Sequence, residues 1–326
     1  MLSLPLPLLL VALVVVVAQV ASQLLGASWR KPNITTSLED RIRLAQGALS
    51  QAISQLDSAT LAFPDPATTY GLSGALYSQL AEFDQLTNQS RYAITLGGYF
   101  GSAKAVTAAN FSGPYVLNNG LNFGYGAVVA YKTYKTYNSS LFLQFAIEAW
   151  SAAVPYTITQ AALDAGKMAN KSFTLSPSCQ GVSMAGGAFY STDPVNTGVV
   201  VIATGGFFVL SALLAEATAD AKYLSAAVQS MSFIRAHLYN GEGLVIDGMS
   251  ASATDNCALS TLGLLPYNSG LMVEGLAVLY SISHNTTYRN MLDDLITASL
   301  ATTGWQNVSA WRCACDEQAR MAVMNI

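Results

Sequence analysis

Apolar residues recur along most of the chain with the spacing of amphipathic or fully buried helices. This periodicity predicts nine helices, at residues 37–56, 71–86, 90–109, 118–137, 140–153, 198–218, 221–238, 267–283 and 287–300. Some further helix is expected near residues 161–168, inside a long loop that spans residues 155–196. Residues 241–248 are predicted to form a short hairpin with an apolar centre. The pattern is that of an all-α protein.

A short unit occurs four times where one predicted helix ends and the next begins. In each copy a polar turn with Asn or Asp is followed, three or four residues later, by an aromatic residue. The pairs are Asn88 and Tyr92, Asn138 and Phe142, Asp220 and Tyr223, and Asn285 and Tyr288. Repeated helical hairpins cannot bury their own apolar faces, so they stack on their neighbours. The unequal spacing of the copies predicts inserted loops on at least one face, and a site built from those loops.

Charge narrows the classes of partner. Charged residues make up 10% of the 326 residues, and the net charge is −4. The scattered Lys and Arg residues form no basic stripe, which argues against nucleic acid as a partner. An uncharged stretch at residues 198–215 is long enough to cross a membrane. Because the repeat requires a helix at that place, we interpret it instead as a helix buried on all sides.

The N-terminus and the sequons indicate the secretory pathway. An apolar run at residues 6–20 precedes the small residues Ala21 and Ser22, so we predict a signal peptide at residues 1–22 and one domain at residues 23–326. No Lys or Arg precedes the run, so an uncleaved membrane anchor stays an alternative. Seven Asn-x-Ser/Thr sequons predict a secreted glycoprotein, extracellular or associated with a cell wall, at Asn33, Asn88, Asn110, Asn138, Asn170, Asn285 and Asn307.

Cysteine and histidine usage sets the expectations for disulfides and metals. In an oxidising compartment Cys179 and Cys257 are expected to pair, whereas Cys313 and Cys315 are too close for an easy mutual bridge. The two histidines of the chain lie where predicted helices end. No zinc site and no Ser-His-Asp arrangement can be assembled from the sequence, so we expect neither a metal nor a cofactor.

Four stretches of the chain, at residues 118–131, 186–190, 243–248 and 267–276, resemble glycoside hydrolase family 76, the α-1,6-mannanase-like proteins, and specifically its divergent fungal members. The similarity covers about residues 37–305. The resemblance implies an (α/α)6 toroid of helical hairpins with a cleft at one mouth of the inner ring. It also implies a monomeric glycosidase whose partner is a mannan-like polysaccharide or oligosaccharide.

Two features depart from the family. The adjacent Asp-Asp pair that supplies the two catalytic carboxylates reads Asn118-Asn119 here. An amide is a poor nucleophile and donates no proton near neutral pH, so the family mechanism cannot operate on this pair. The toroid also has twelve helices where this chain predicts nine, and we expect it to be truncated at the C-terminus. Two hypotheses remain open: a hydrolase that uses other carboxylates, and a catalytically silent relative that binds glycan. An uncleaved N-terminus would favour a third, a membrane-anchored wall protein.

Candidate site residues follow from these stretches. The replacement catalytic carboxylates are Asp193 and Glu274, although Asp193 before Pro194 is also typical of a turn. The candidate substrate-binding residues are Asn118, Asn119, Tyr190, Asp247, Tyr267 and Asn268. Asp247 has a structural alternative, and Asn268 an alternative as a helix cap. Aromatic residues that could stack on sugars, or belong to the core, are Phe123, Tyr125, Phe189, Tyr190 and Tyr267.

Overall fold

The computed structural model describes residues 34–64, 66–110, 116–302 and 305, with side chains left out at residues 66–70 and 105–110. Residues 38–299 form one compact unit. The predicted signal peptide, the sequons at Asn33 and Asn307, and Cys313 and Cys315 lie outside the described residues.

The described residues form ten α-helices, nine of them long. Their bounds are α1 Leu38–Ile53, α2 Pro66–Thr87, α3 Ala93–Asn110, α4 Leu117–Tyr134, α5 Ser139–Ala153, α6 Gln160–Asp164, α7 Val201–Thr218, α8 Ala221–His237, α9 Pro266–Ser283 and α10 Thr286–Ala301. The nine predicted helices are therefore confirmed, and α6 is the short helix expected in the long loop.

The long helices form a helical toroid in two layers. Helix α4 packs against α2, α5 and α7, and α7 packs against α4, α8 and α9, so α2, α4, α7 and α9 follow one another in the inner layer. Helix α7 is buried on nearly all sides from Val201 to Ala215. It is also the one helix among the described residues that is long and apolar enough to cross a membrane, and most of it is buried within the fold. Its interpretation as a core helix is confirmed.

Small residues allow the inner helices to approach closely. A methyl group at Gly74 of α2 would lie 2.6 Å from the backbone nitrogen of Phe123 in α4. A methyl group at Gly275 of α9 would lie 2.2 Å from the ring of Phe208 in α7. Any larger side chain at these positions would force the helices apart, because neither neighbour has space to move.

The structure corrects several predicted boundaries: α1 ends at Ile53, α3 begins at Ala93 and α4 ends at Tyr134, each three residues from the prediction. Helix α2 begins at Pro66 instead of Gly71, because proline is well suited to the first turn of a helix. Helix α7 begins at Val201 instead of Gly198, because residues Gly198–Val200 form strand β3. Two other strands, β1 Ser178–Cys179 and β2 Val182–Ser183, pair in the long loop, and β4 Gly248–Ser250 pairs antiparallel with β3. The predicted hairpin is present, closed by a bridge between Tyr239 and Val245.

A disulfide joins the long loop to the segment before α9. Cys179 in β1 bonds to Cys257, 78 residues further along the chain. The predicted pairing is confirmed. Ser176, near β1, also donates its backbone amide to the carbonyl of Ala251. The two segments are thus held together at the same end of the molecule as the start of α7.

Candidate functional site

The pair Asn118-Asn119 lies in the first turn of α4. Helix α4 begins without a side-chain cap, and the amide of Leu117 instead donates to the carbonyl of Tyr190 at 2.8 Å. The side chain of Asn119 lies against α2, where a methyl group at Gly71 would come within 2.4 Å of its Oδ1. The Oδ1 atom of Asn118 is buried and accepts no hydrogen bond from the described residues. A buried amide oxygen without a partner is an unsatisfied acceptor, which in proteins is most often paired with a bound water or a ligand group.

Tyr190, Asp247 and Tyr267, which come from three separate segments, meet near the start of α7 and α9. The Tyr267 hydroxyl hydrogen-bonds to the Asp247 carboxylate, and both Tyr190 and Tyr267 interact electrostatically with it. The hydroxyl of Ser260 donates to Asp247 Oδ2 at 2.8 Å. We call these four residues the mouth cluster. It brings two aromatic rings and a hydrogen-bonded carboxylate together, which are the groups that proteins use against the faces and hydroxyls of sugars.

Backbone contacts hold the mouth cluster in place. The Asp247 carbonyl accepts a hydrogen bond from the amide of Val201 at 2.7 Å, which ties the end of the hairpin to the first residue of α7. Asp247 itself is only 4% exposed, whereas Tyr190 is 39% exposed. Burial, followed by the charge of Asp247, raises the pKa of both Tyr190 and Tyr267. Both hydroxyls therefore stay protonated near neutral pH; the proton of Tyr267 is donated to Asp247, whereas Tyr190 can donate to a ligand.

A second polar group lies further along the same helices. The hydroxyl of Tyr125 in α4 donates to Glu82 Oε1 in α2 at 2.9 Å, and Glu274 in α9 shares this hydroxyl, whose single proton serves one carboxylate at a time. We call Glu82, Tyr125 and Glu274 the mid-cleft cluster. Burial raises the pKa of Glu274, and the hydrogen bond from Tyr125 opposes that shift. The repulsion of Glu82 adds to the rise, and the charge of Lys132 counteracts it.

The two clusters are two helical turns apart on the same helix faces. Asn118 and Tyr125 are separated by seven residues in α4, and Tyr267 and Glu274 by seven residues in α9. Residues seven apart lie on one face of a helix and about 10 Å apart along its axis. Asn118 and Tyr267, in the first turns of α4 and α9, therefore lie about 10 Å from the mid-cleft cluster along the same helix faces, and we call the surface between them the cleft.

The remaining candidate residues have other surroundings. Asp193 Oδ1 accepts a hydrogen bond from the amide of Val195 at 3.1 Å, the arrangement of the turn alternative, and no hydrogen bond joins Asp193 to Glu274. Asn268 has no exposed surface, and its amide has no hydrogen-bond partner among the described residues. Its predicted role as a cap is wrong, because Leu265 is the residue at the N-cap of α9. Phe123 and Phe189 are core residues, 1% and 0% exposed.

Sequence reasoning missed three residues around the cleft. Glu82 belongs to the mid-cleft cluster and Ser260 to the mouth cluster, and Lys171 contacts the loop that follows Tyr190. A charged residue is unusual in so uncharged a chain, and Glu82 lies within an apolar stretch of α2. A charged residue within an apolar helix was the feature that could have identified Glu82 as a candidate from the sequence. Among the described residues, no three His, Cys, Asp or Glu side chains lie close enough together to hold a metal ion.

The described residues thus form a helical toroid whose inner helices carry polar clusters, and this fold is the basis for comparison with known proteins. The sequence profile of Glycosyl hydrolase family 76 matches residues 167–321. Solved structures of that family share the fold, so the resemblance to family 76 predicted from the sequence is confirmed. No curated protein is similar enough in sequence to match the chain.

Three of the similar structures illustrate the range. One is an inactive variant of the α-1,6-mannanase from Salegentibacter sp. HEL1_6, in which two neighbouring Asp residues are changed to Asn, in complex with α-1,6-mannotriose. It has a TM-score of 0.63 and 15% identity over 80% of this chain and 70% of that one. The family 76 mannosidase of Bacteroides thetaiotaomicron VPI-5482 has a TM-score of 0.57 and 15% identity over 79% and 71%. Dfg5 from Chaetomium thermophilum, in complex with glucosamine, has a TM-score of 0.61 and 17% identity over 83% of this chain and 66% of that one.

Proposed function

We propose that this protein binds an α-1,6-linked manno-oligosaccharide in the cleft between the mouth cluster and the mid-cleft cluster, and that it does not hydrolyse the glycan. Its family and its structural relatives support a glycosidase-like role on mannan. The Tyr190 hydroxyl can donate to a sugar, the Tyr267 hydroxyl can accept from one while it donates to Asp247, and Asn118 Oδ1 is an acceptor without a partner among the described residues. These neutral and charged groups suit sugar hydroxyls, which both donate and accept hydrogen bonds.

The observation that carries the proposal is the pair Asn118-Asn119 at the start of α4. A retaining glycosidase needs one carboxylate as the nucleophile and a second as the acid and base, and an amide supplies neither. The Salegentibacter variant is a precedent: a mannanase with Asn in place of two neighbouring Asp residues is inactive and still holds mannotriose. An Asn pair keeps the hydrogen-bonding capacity of the side chains while it removes their charge.

We also propose that the protein is secreted and acts outside the cell or at its wall. The disulfide between Cys179 and Cys257 supports an oxidising compartment, because disulfides rarely persist in a reducing cytosol. The apolar N-terminal run and the sequons of the sequence point the same way.

A second candidate function is hydrolysis by other carboxylates. It is favoured by the mid-cleft cluster, in which Glu82 and Glu274 both hydrogen-bond to the Tyr125 hydroxyl. The raised pKa of Glu274 suits a general acid, and Glu82 would be the partner carboxylate. Both residues lie about two helical turns from Asn118 along the cleft, so a glycan cut there would have to enter deeply.

Calorimetric titration with α-1,6-mannotriose and chromatography of long incubations with α-1,6-mannan test the two candidates together. The proposal expects saturable binding at a stoichiometry of about one and no products. Product formation by the unchanged protein that is lost in Glu274→Gln would establish the second candidate instead. Absence of binding to any α-1,6-manno-oligosaccharide would refute the proposed ligand.

A further inference from the structure

Lys171 is a buried cation that the cleft residues do not contact through their side chains. The residue is 8% exposed. Its Nζ donates to three backbone carbonyls of one short segment: Ser191 at 2.8 Å, Asp193 at 2.8 Å and Asn196 at 3.1 Å. The same Nζ lies 4.2 Å from the centroid of the Phe189 ring. All three protons of the ammonium are therefore used within residues 189–196.

Burial of this ammonium is unfavourable by itself. Removing a charged group from water costs free energy unless hydrogen bonds and opposite charges compensate it. Burial lowers the pKa of Lys171 to about 8, and the carboxylate of Asp193 opposes the shift. Asp193 is the titratable group that faces the ammonium; the other contacts are carbonyls and an aromatic ring. An apolar side chain would avoid the cost of burying a charge but would leave the three carbonyls without this donor, so what the ammonium contributes is the order of the segment.

The segment held by Lys171 connects the mouth cluster to the start of α4. Tyr190 donates its amide to the carbonyl of Gly198 at 2.8 Å, so residues 191–197 form a closed loop between these two residues. The carbonyl of Tyr190 accepts the amide of Leu117, and Ser191 forms a β-bridge with Val116. A change in the shape of the loop therefore moves Tyr190 and, through Leu117, the first turn that carries Asn118 and Asn119.

We infer that Lys171 is a positioning residue of the cleft: its ammonium holds residues 191–196 in the conformation that places Tyr190 beside Asp247 and fixes the start of α4. The consequence for glycan affinity rests on the function proposed above, whereas the consequence for loop order does not. The two are measured separately for that reason.

The test compares Lys171→Met and Lys171→Arg with the matched control Lys167→Met, which removes an exposed lysine four residues away. Hydrogen exchange by mass spectrometry reports the order of residues 116–120 and 190–198, with α8 as the internal reference. We expect Lys171→Met to raise exchange in both segments roughly tenfold, and to weaken mannotriose binding about tenfold, which corresponds to the loss of order worth about 1.4 kcal/mol. Lys171→Arg keeps the charge and is expected to restore most of the protection.

A second arm uses the unchanged protein, in case Lys171→Met does not fold. Between about pH 7 and pH 9.5 the ammonium loses its proton, so exchange in residues 190–198, corrected for intrinsic rates, is expected to rise and mannotriose affinity to fall. Tyr190 and Tyr267 stay protonated in this range because their pKa values are raised. Lys171→Arg stays charged and is expected to abolish the pH dependence.

The outcomes separate the two ideas. If the unchanged protein does not bind mannotriose but Lys171→Met loosens both segments, the proposed ligand is wrong and the positioning role stands. If exchange in Lys171→Met equals that in Lys167→Met, or if Lys171→Arg retains the pH profile of the unchanged protein, the inference about Lys171 is overturned.

Discussion

The backbone amide of Leu117 donates a 2.8 Å hydrogen bond to the carbonyl of Tyr190. This bond satisfies one of the free amides at the start of α4, which has no side-chain cap. It also connects two parts of the cleft, since Leu117 precedes Asn118-Asn119 and Tyr190 belongs to the mouth cluster. A helix start that depends on a loop carbonyl moves with that loop, so the positions of Asn118-Asn119 and of Tyr190 are coupled.

The first prediction concerns the amide pair. The double variant Asn118→Asp/Asn119→Asp restores the carboxylates that the family mechanism needs, and we expect it to release products from α-1,6-mannan at least tenfold above the unchanged protein. Reducing-end assays with chromatography of the products measure this. Asn290→Asp is the matched control, because it adds a negative charge to an exposed position on α10. A double variant that folds, binds mannotriose and produces nothing would mean that the scaffold lacks more than the two carboxylates.

The second prediction concerns the mouth cluster. Tyr267→Phe keeps the ring and removes the hydroxyl that hydrogen-bonds to Asp247. Without this hydroxyl the Asp247 carboxylate keeps only the Ser260 hydroxyl as a side-chain donor and is less firmly oriented, so we expect mannotriose affinity to fall roughly tenfold, about 1.4 kcal/mol. Titration calorimetry measures the change, and Tyr288→Phe on α10 serves as the control. Equal affinities for the two variants would remove Tyr267 from the binding site.

The third prediction concerns the pH dependence of stability at Glu274. The pKa of this carboxyl is raised in the folded protein, so the native state binds more protons than the unfolded state above the ordinary value of 4.5. The unchanged protein therefore loses stability as the pH rises from about 4.5 through the raised pKa of Glu274. Glu274→Gln lacks this loss, and we expect it to be more stable than the unchanged protein at pH 7 and to lose that advantage below about pH 4.5.

Thermal melts across this pH range measure the difference between the two proteins. Glu242→Gln, at an exposed position of the hairpin, is the control and is expected to show no such crossover. If Glu274→Gln and Glu242→Gln shift the melting temperature equally at every pH, the burial of Glu274 does not govern its titration.

The fourth prediction concerns the sequons. Asn88 and Asn285 are exposed, whereas the Nδ2 of Asn170 donates to the Pro155 carbonyl at 2.8 Å and its Oδ1 is buried. We expect protein made in a eukaryotic secretory pathway to carry glycans at Asn88 and Asn285 but not at Asn170. Peptide mass mapping after enzymatic deglycosylation measures this. Asn88→Gln and Asn285→Gln should each lower the mass by one glycan, and Asn170→Gln should not; an occupied Asn170 would contradict the assignment.

Much of the fold could be predicted from the sequence because it depends on local patterns. The apolar periodicity of a helix and the Gly and Pro residues at its ends are properties of neighbouring residues, and they placed all nine long helices. The long apolar run of α7 indicated a buried helix for the same reason. The disulfide was accessible as well, since Cys179 and Cys257 stand alone in their parts of the chain.

The remaining features depend on contacts between distant segments. Gly198–Val200 form a strand because residues Gly248–Ser250 lie beside them, which no local pattern at residue 198 reveals. Tyr190, Asp247 and Tyr267 could each be proposed for the site from the sequence, but their meeting at one carboxylate is set by the path of three loops. Lys171 is bound by backbone carbonyls, which every residue type presents alike. Chain geometry, not side-chain identity, therefore decides which lysine becomes buried and which loop it holds.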